Sequence, residues 1–382
     1  MAQPPDQLAR LAEFDTQLHL RLVFGAGTIG RVGQIAREFG GKRVLVVTDA
    51  GIVKSGHAGK VMGLIEAAGL EAVCFDRVRE NPDTVVVDEC VAAARAAEAD
   101  LLIGLGGGSS MDAAKGCNFI LTNGGRMHDY WGVGKATKPM LPLIAIPTTA
   151  GTGSECQSFA LISDPVTHQK MACGDKKAMA RVAILDPELT VSQPPRVTAC
   201  TGIDAVAHAV ETAVTKKRNE TSLAFSHAAF RLLAESFPVV LREPANLAAR
   251  AKMLLGAAFA GTAIEHSMLG AAHSAANPLT AHFGVIHGQA VGLMLPHIVR
   301  FNAEDDEAAR GYGAIANSAE ALAVQLETFL QLGGLASPLA NFGAQREVIP
   351  ALAEEAAKQW TAGFNPRAIS EADFRALFAA AF

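Results

Sequence analysis

Apolar positions change rhythm once along the chain. In the first half, short continuous apolar runs alternate with longer Ala-rich stretches. Arg43 to Asp49, Glu71 to Phe75, Asp100 to Leu105, Leu143 to Ile146 and Arg181 to Leu185 read as strands. Their β-branched and Leu-rich character suits a sheet buried on both faces. Ala58 to Ala68 and Thr84 to Ala97 read as helices between them. Such alternation builds βαβ units, so it predicts a mostly parallel sheet covered by helices. After Asp186-Pro187-Glu188 and Gln193-Pro194-Pro195, strand-like runs nearly vanish. Helical spacing takes over, as in Ala224 to Ser236 and Leu247 to Ala263. The expected architecture is an α/β domain over residues 1–190 and an all-helical domain over residues 191–382.

Composition narrows the class. A length of 382 residues fits two or three domains. With 50% hydrophobic and 19% charged residues, the chain can build large cores and is not mainly disordered. A net charge of -5 argues against a nucleic-acid partner, which needs basic surface. No uninterrupted apolar run approaches the roughly 18 residues of a membrane span. The opening stretch MAQPPDQLARLAEFD carries Asp6, Glu13 and Asp15 and lacks the apolar core of a signal peptide. Six scattered cysteines form no C-x-x-C pair, which fits free thiols in a cytoplasmic protein.

Two glycine loops compete for a nucleotide. Gly25-Ala26-Gly27-Thr28-Ile29-Gly30 is a literal G-x-G-x-x-G, with Asp49 further along. The strand before it, Leu18 to Val23, alternates apolar and polar and so reads as a half-exposed edge, away from a phosphate crevice. Gly106-Gly107-Gly108-Ser109-Ser110 instead follows a continuous apolar strand and opens a helix at Met111-Asp112-Ala113-Ala114-Lys115. Glycines admit close backbone approach, and a helix N-terminus offers free N–H groups, so this loop is the better phosphate cradle. A tight turn with a Ser cap would need no ligand, but three consecutive glycines exceed what it requires. Asp49, ending another central strand, can accept a ribose hydroxyl. Pro147 to Glu155 forms a third, hydroxyl-lined loop with Thr148, Thr149 and Thr152.

The second half carries histidines. Five of the eleven fall within residues 266–297, where uniform scatter predicts about one. Upstream, Asp204 and His208 stand four apart on a predicted helix and share a face. A carboxylate and several imidazoles of this kind fit a divalent metal site.

Several long motifs occur in one order: GGGSSMDAAKG at 106–116, PTTAGTGSE at 147–155, GIDAVAHAVE at 202–211, GAAHSAANPLTAHFGVIHG at 270–288 and LPHIVRFN at 295–302. With them the chain resembles the iron-dependent (group III) alcohol dehydrogenase family over essentially its whole length. The resemblance implies a dehydroquinate synthase-like fold with cofactor and metal in the cleft between the two domains. It makes Asp204, His208, His273 and His287 the metal ligands and sets the pyrophosphate on Gly106, Gly107, Gly108 and Ser109. Thr148, Thr149 and Thr152 become nucleotide contacts, Asp49 the residue near the adenosine ribose, and Asp112 and Lys115 further members of the cofactor motif. His273 and His287 belong to the reaction centre, as does Asn277. Many relatives carry a His at this last position, often assigned to proton relay, which a neutral Asn cannot perform. His266 and His282 also depart from the family pattern, so pocket polarity is expected to differ.

The activity implied is NAD-dependent interconversion of a primary alcohol and its aldehyde, with NADP the less favoured cofactor. Mixed N/O ligation suits Fe2+, with Zn2+ the main substitute. A homodimer or higher homo-oligomer is implied as well. One rival is a dehydroquinate synthase-like lyase or cyclase that uses NAD transiently; it needs a basic pocket. Residues 202–300 cluster few Lys or Arg apart from Lys216-Lys217-Arg218. A keto-acid reductase on the same fold is another, and a binding module without catalysis a third.

Overall fold

The apolar runs become strands in the computed structural model, which describes residues 20–167 and 169–382. The opening stretch that bears on a signal peptide lies outside the described residues, as do Leu18 and His19. In chain order the strands are β1 (Arg21–Phe24), β2 (Arg43–Val47), β3 (Glu71–Phe75), β4 (Leu101–Gly106), β5 (Gly132–Val133), β6 (Leu143–Pro147), β7 (Phe159–Ser163), β8 (Lys170–Gly174) and β9 (Val182–Leu185). Six of them form one sheet in the order β1-β9-β6-β4-β2-β3, with every neighbour parallel. The sequence reading missed a smaller sheet, β5-β8-β7, in which β7 and β8 pair antiparallel.

Side chains on successive strand residues point to opposite faces. Val44 and Val46 accordingly join one core, while Leu45 and Val47 join the other. The first core is closed by α1 (Val32–Glu38) and, beyond the short α2 (Ala50–Lys54), by α3 (His57–Ala67). The other is closed by α4 (Thr84–Ala96) and α5 (Gly108–Asn123), and it runs on into the helical half. Helix α4 starts where predicted because Asp83 caps it, its carboxylate accepting from Val86 N at 2.9 Å.

Beyond Leu185 the described residues hold helices and turns. They comprise α6 (Pro195–Thr212), α7 (Glu220–Arg242), α8 (Leu247–His266), α9 (Ala271–Phe283), α10 (His287–Asn302), α11 (Asp306–Ala316), α12 (Ala319–Leu332), α13 (Ile349–Lys358) and α14 (Glu371–Ala381). Helix α7 starts before its apolar spacing does, because Asn219 and Ser222 cap each other's backbone N–H. By length and composition alone α8 could cross a membrane, yet 72% of its most apolar window is buried inside the fold. It is a core helix packed against α6 and α7.

Two features position the site. The chain passes from β2 to β3 on one side and then returns to β4 on the other, so a switch point opens between the ends of β2 and β4. Crevices at such points take ligands in open α/β sheets. The loop after β6 also docks on α8 through a glycine pair. A Cβ at Gly153, which has φ +62°, would lie 2.6 Å from Gly261 Cα. Only glycines permit this approach, which fastens the sheet to the helical half.

Candidate active site

The ends of β2 and β4 bring the expected nucleotide residues together. Asp49 follows β2 and caps α2, its Oδ1 accepting from Gly51 N at 2.8 Å and Ile52 N at 3.1 Å. A Cβ on Gly106 would lie 3.4 Å from Asp49 Oδ2, so that oxygen faces the glycine loop. Helix α5 begins at Gly108 with no side chain capping it. Thr152 crowds this start: a Cβ at Gly108 would come within 2.8 Å of its Oγ1. Thr149 flanks Gly107 in the same way at 3.4 Å. Thr148 is buried, its N–H donating to Gly106 O at 2.9 Å and its carbonyl accepting from Gln193. Ser109 Oγ accepts from Asn81 N at 3.3 Å.

The two charged residues of the loop motif are placed differently from the sequence expectation. Lys115 is fully buried, and its Nζ donates to Ser154 O (2.6 Å), Ser154 Oγ (2.9 Å) and Phe159 O (2.9 Å). An ammonium has three donors, and all three are spent on protein. Asp112 accepts from the same Ser154 hydroxyl at 2.9 Å. Burial pulls the lysine down and the aspartate up from their ordinary values. Both residues therefore hold the segment after the threonine loop in place and present no free charge to a phosphate.

The first glycine loop follows edge strand β1 and is filled from within. Asp186 accepts from Gly27 N at 3.2 Å, Ile29 N at 3.1 Å and Glu188 N at 3.1 Å. Its backbone donors meet a carboxylate of the same chain.

The helical half supplies the second cluster. Asp204 and His208 lie on α6, His273 near the start of α9 and His287 at the first residue of α10. All three imidazoles turn Nε2 toward Asp204 Oδ1, at 3.6 Å from His208, 3.5 Å from His273 and 4.0 Å from His287. Asp204 Oδ1 and His273 Nε2, which face each other, are buried without a hydrogen-bond partner. Leaving buried polar groups unpaired is costly, so the arrangement fits an ion that would satisfy them. Ligand atoms of Asp204, His208 and His273 all lie within 4.8 Å of one another. Burial alone would raise the Asp204 carboxyl, but the surrounding imidazoles outweigh it and hold the group well below the usual carboxylate range. Burial pushes His287 down to about 3 against the pull of Asp204, which favours the neutral ring that a metal needs.

The two clusters are neighbours. A Cβ on Gly151 of the threonine loop would lie 2.6 Å from Thr201 Cβ, on the turn of α6 before Asp204. Two matches bear on the identity of this arrangement. The model of the iron-containing alcohol dehydrogenase family covers residues 20–187, and that of its C-terminal domain covers residues 198–382. This chain belongs to the iron-containing alcohol dehydrogenase family. It is 34% identical over 363 residues to the NAD-dependent methanol dehydrogenase of Bacillus methanolicus, spanning 92% of this chain and 95% of that one. Its fold superposes with a TM-score of 0.90 on a 1,3-propanediol oxidoreductase at 31% identity, covering 95% and 98% of the two chains. A sulfoacetaldehyde reductase of Bifidobacterium kashiwanohense, solved with NAD+, gives 0.87 at 29% identity, covering 96% and 98%. The enzyme is thus a metal-dependent, NAD-dependent oxidoreductase of alcohols and aldehydes.

Three departures from the family pattern now have locations. Asn277, one turn past His273, donates its amide to Gln359 Oε1 at 3.0 Å. His282, expected to alter the pocket, is half exposed and pairs with Glu355 at 2.8 Å. Its ring hydrogen-bonds across from α9 to α13, because the last turn of α9 points that face toward α13. The carbonyl of His266 accepts from Asn219 at 2.6 Å and ties α8 to the start of α7. Two further residues had no role in the sequence reading. Glu211 contacts His273 from α6, and Lys170 on β8 donates to Asn81 Oδ1 at 3.0 Å. Lys170 lies close enough to the second cluster for Asp204 and His287 to feel its charge. The spacing of Asp204, His208 and Glu211 on one helix face could have revealed Glu211. For Lys170, in a hairpin rich in polar residues, the sequence offers no such signal.

Proposed function

We propose that the enzyme uses Fe2+, with Zn2+ able to replace it, to interconvert a primary alcohol and its aldehyde with NAD. Asp204, His208, His273 and His287 would hold the ion. The convergence of three Nε2 atoms on the unpaired Asp204 oxygen is the observation that carries this reading. One carboxylate and three neutral rings leave a divalent ion with net positive charge. When bound, the ion supplies a Lewis acid that polarises the substrate oxygen.

The chain's own residues do the rest. Gly106, Gly107, Gly108 and Ser109 receive the pyrophosphate at the uncapped start of α5, where N–H groups favour an anion. Asp49 accepts from the adenosine ribose with the oxygen that faces this loop. Thr149 and Thr152, packed on the glycines, shape the path of the dinucleotide toward α6. The imidazole that relatives carry after the third ligand is replaced by Asn277, whose amide is tied to Gln359. Proton transfer therefore reaches solvent without a titrating group at this position. The domain boundary falls near residue 190, between β9 and α6.

The test is a panel of primary alcohols and aldehydes with NAD(H) and NADP(H), using protein stripped of metal and reloaded with Fe2+ or Zn2+. NADH should form from a primary alcohol only in the reloaded samples. Full activity in the stripped protein would overturn the reading.

A further inference from the structure

The structure assigns Glu211 a role that deepens the metal reading and rests on it: we propose that Glu211 is a positioning residue that fixes the tautomer of His273. The carboxylate sits on α6, on the face that carries Asp204 and His208, and its side chain is 4% exposed. Oε2 lies 2.5 Å from His273 Nδ1, and Oε1 accepts from Ala272 N at 2.7 Å. Glu211 thus engages two donors at the N-terminus of α9, where negative charge is favoured.

Its surroundings leave it little freedom. A Cβ at Gly270 would lie 3.1 Å from Glu211 Oε1 and 3.2 Å from Asn365 Oδ1, so both acceptors converge on the start of α9. Asn365 accepts from Ala271 N at 3.3 Å and exchanges hydrogen bonds with Asn302, which reaches Tyr312 at 3.1 Å. This buried polar network fixes the start of α9, whose next N–H, that of Ala272, Glu211 receives.

The chemistry follows from counting donors. A carboxylate accepts with both oxygens, so Nδ1 of His273 must carry the proton that it donates. Nε2 faces Asp204 Oδ1 at 3.5 Å, and with the Nδ1 proton held by Glu211 it is Nε2 that can give its lone pair to an ion. That is the tautomer a metal ligand needs, and a carboxylate behind a ligating imidazole also raises its basicity. Glutamine has one acceptor oxygen. In Glu211→Gln, either Ala272 N–H or His273 Nδ1–H loses its acceptor. If the amide NH2 faces the ring, Nδ1 becomes the acceptor and the proton moves to Nε2, where it blocks the ion.

Two measurements test this. Chelator competition with Zn2+ compares wild type and Glu211→Gln, and 15N spectra of histidine-labelled protein report which ring nitrogen of His273 carries the proton. Glu211→Gln should bind Zn2+ about 10–100-fold more weakly. At saturating Zn2+ its His273 signal should shift toward protonation at Nε2, whereas the Zn2+-loaded wild type should be protonated at Nδ1 alone. The wild-type spectrum decides the tautomer even where the variant does not fold, and an Nε2–H ring there overturns the proposal. Wild-type Zn2+ affinity in Glu211→Gln, with only a lowered melting temperature, makes Glu211 purely structural and overturns it too. Failure of the wild type itself to bind Zn2+ would instead contradict the ligand set.

Discussion

Asp186 and Asp204 are both buried aspartates with opposite surroundings. Asp186 closes the first glycine loop, its two oxygens accepting from the backbone N–H of Gly27, Ile29 and Glu188. Asp204 has an oxygen with no donor, faced by three imidazoles. The loop that Asp186 closes has the sequence of a nucleotide motif, yet its donors are already satisfied by the chain. Asp204 and His208 have the spacing of an ordinary helix pair, yet the carboxylate is left incomplete. A buried carboxylate whose oxygens are met by N–H groups works as a staple, and one whose oxygen is unpaired among three imidazoles fits a cation.

The sharpest way to break this comparison is to remove a ligand. His273→Ala or His287→Ala should release most of the bound metal and lower turnover by about a thousandfold, the loss of several kcal/mol of charge stabilisation. NAD should still bind, since the glycine loop lies on the sheet. Metal analysis and cofactor titration check both halves, and a variant that keeps full metal and activity removes that histidine from the site.

The opposite operation is Asp186→Ala. Three backbone donors lose their acceptor, so unfolding free energy should drop by about 3 kcal/mol. Metal content per folded molecule should stay at the wild-type level. A lower urea midpoint with intact metal binding keeps the two aspartates distinct; metal loss without destabilisation would erase the distinction.

Glu155 sharpens the rule from a third direction. Its Oε1 is also buried without a partner, and the charge that acts on it is that of Lys115. Burial lifts its carboxyl from 4.5 to about 7, against its own backbone hydrogen bond and Lys115. Because the folded value is raised, the native state binds more protons than the unfolded one between those limits. Stability should therefore fall as pH climbs from about 5 to 8, by roughly 1–3 kcal/mol from this group. Glu155→Gln should lack that part of the decline. Parallel pH profiles for variant and wild type would show that the carboxyl is not strained by burial.

How much of this was legible depended on whether neighbours or remote residues decide the outcome. The large sheet was readable because each buried strand is a continuous apolar run such as Val44 to Val47. The small sheet was not: Phe159 to Ile162 is an apolar run of the same kind that the reading passed over, and its partner Lys170–Gly174 starts in a polar hairpin. The proposed metal ligands came from long motifs, and the structure turns the three imidazoles toward Asp204. Lys115 and Asp112 sit in an equally strong motif, but Ser154 and Phe159, remote in sequence, consume their polar atoms. His282 and Asn277 read as changes to the pocket, and only the fold shows that Glu355 and Gln359 engage them.

The smallest expected effect concerns Asp49, which combines both kinds of carboxylate in one side chain. Its Oδ1 is a staple, capping α2 through Gly51 N and Ile52 N. Its Oδ2 faces the Gly106 loop at the switch point. In the proposed cofactor site it would accept from ribose hydroxyls and would meet the extra phosphate of NADP as a like charge, at a cost on the order of 1–4 kcal/mol. Glycine is a tolerable cap, costing only a few tenths of a kcal/mol, so Asp49→Gly should fold normally. The kcat/KM ratio of NADP to NAD should rise about tenfold, equivalent to about 1.4 kcal/mol. The rise should come from both sides, with NAD losing a hydrogen bond and NADP losing a repulsion. An unchanged ratio, or a wild type that already uses the two cofactors equally, would leave Oδ1 as the only oxygen with a task and make Asp49 a staple like Asp186.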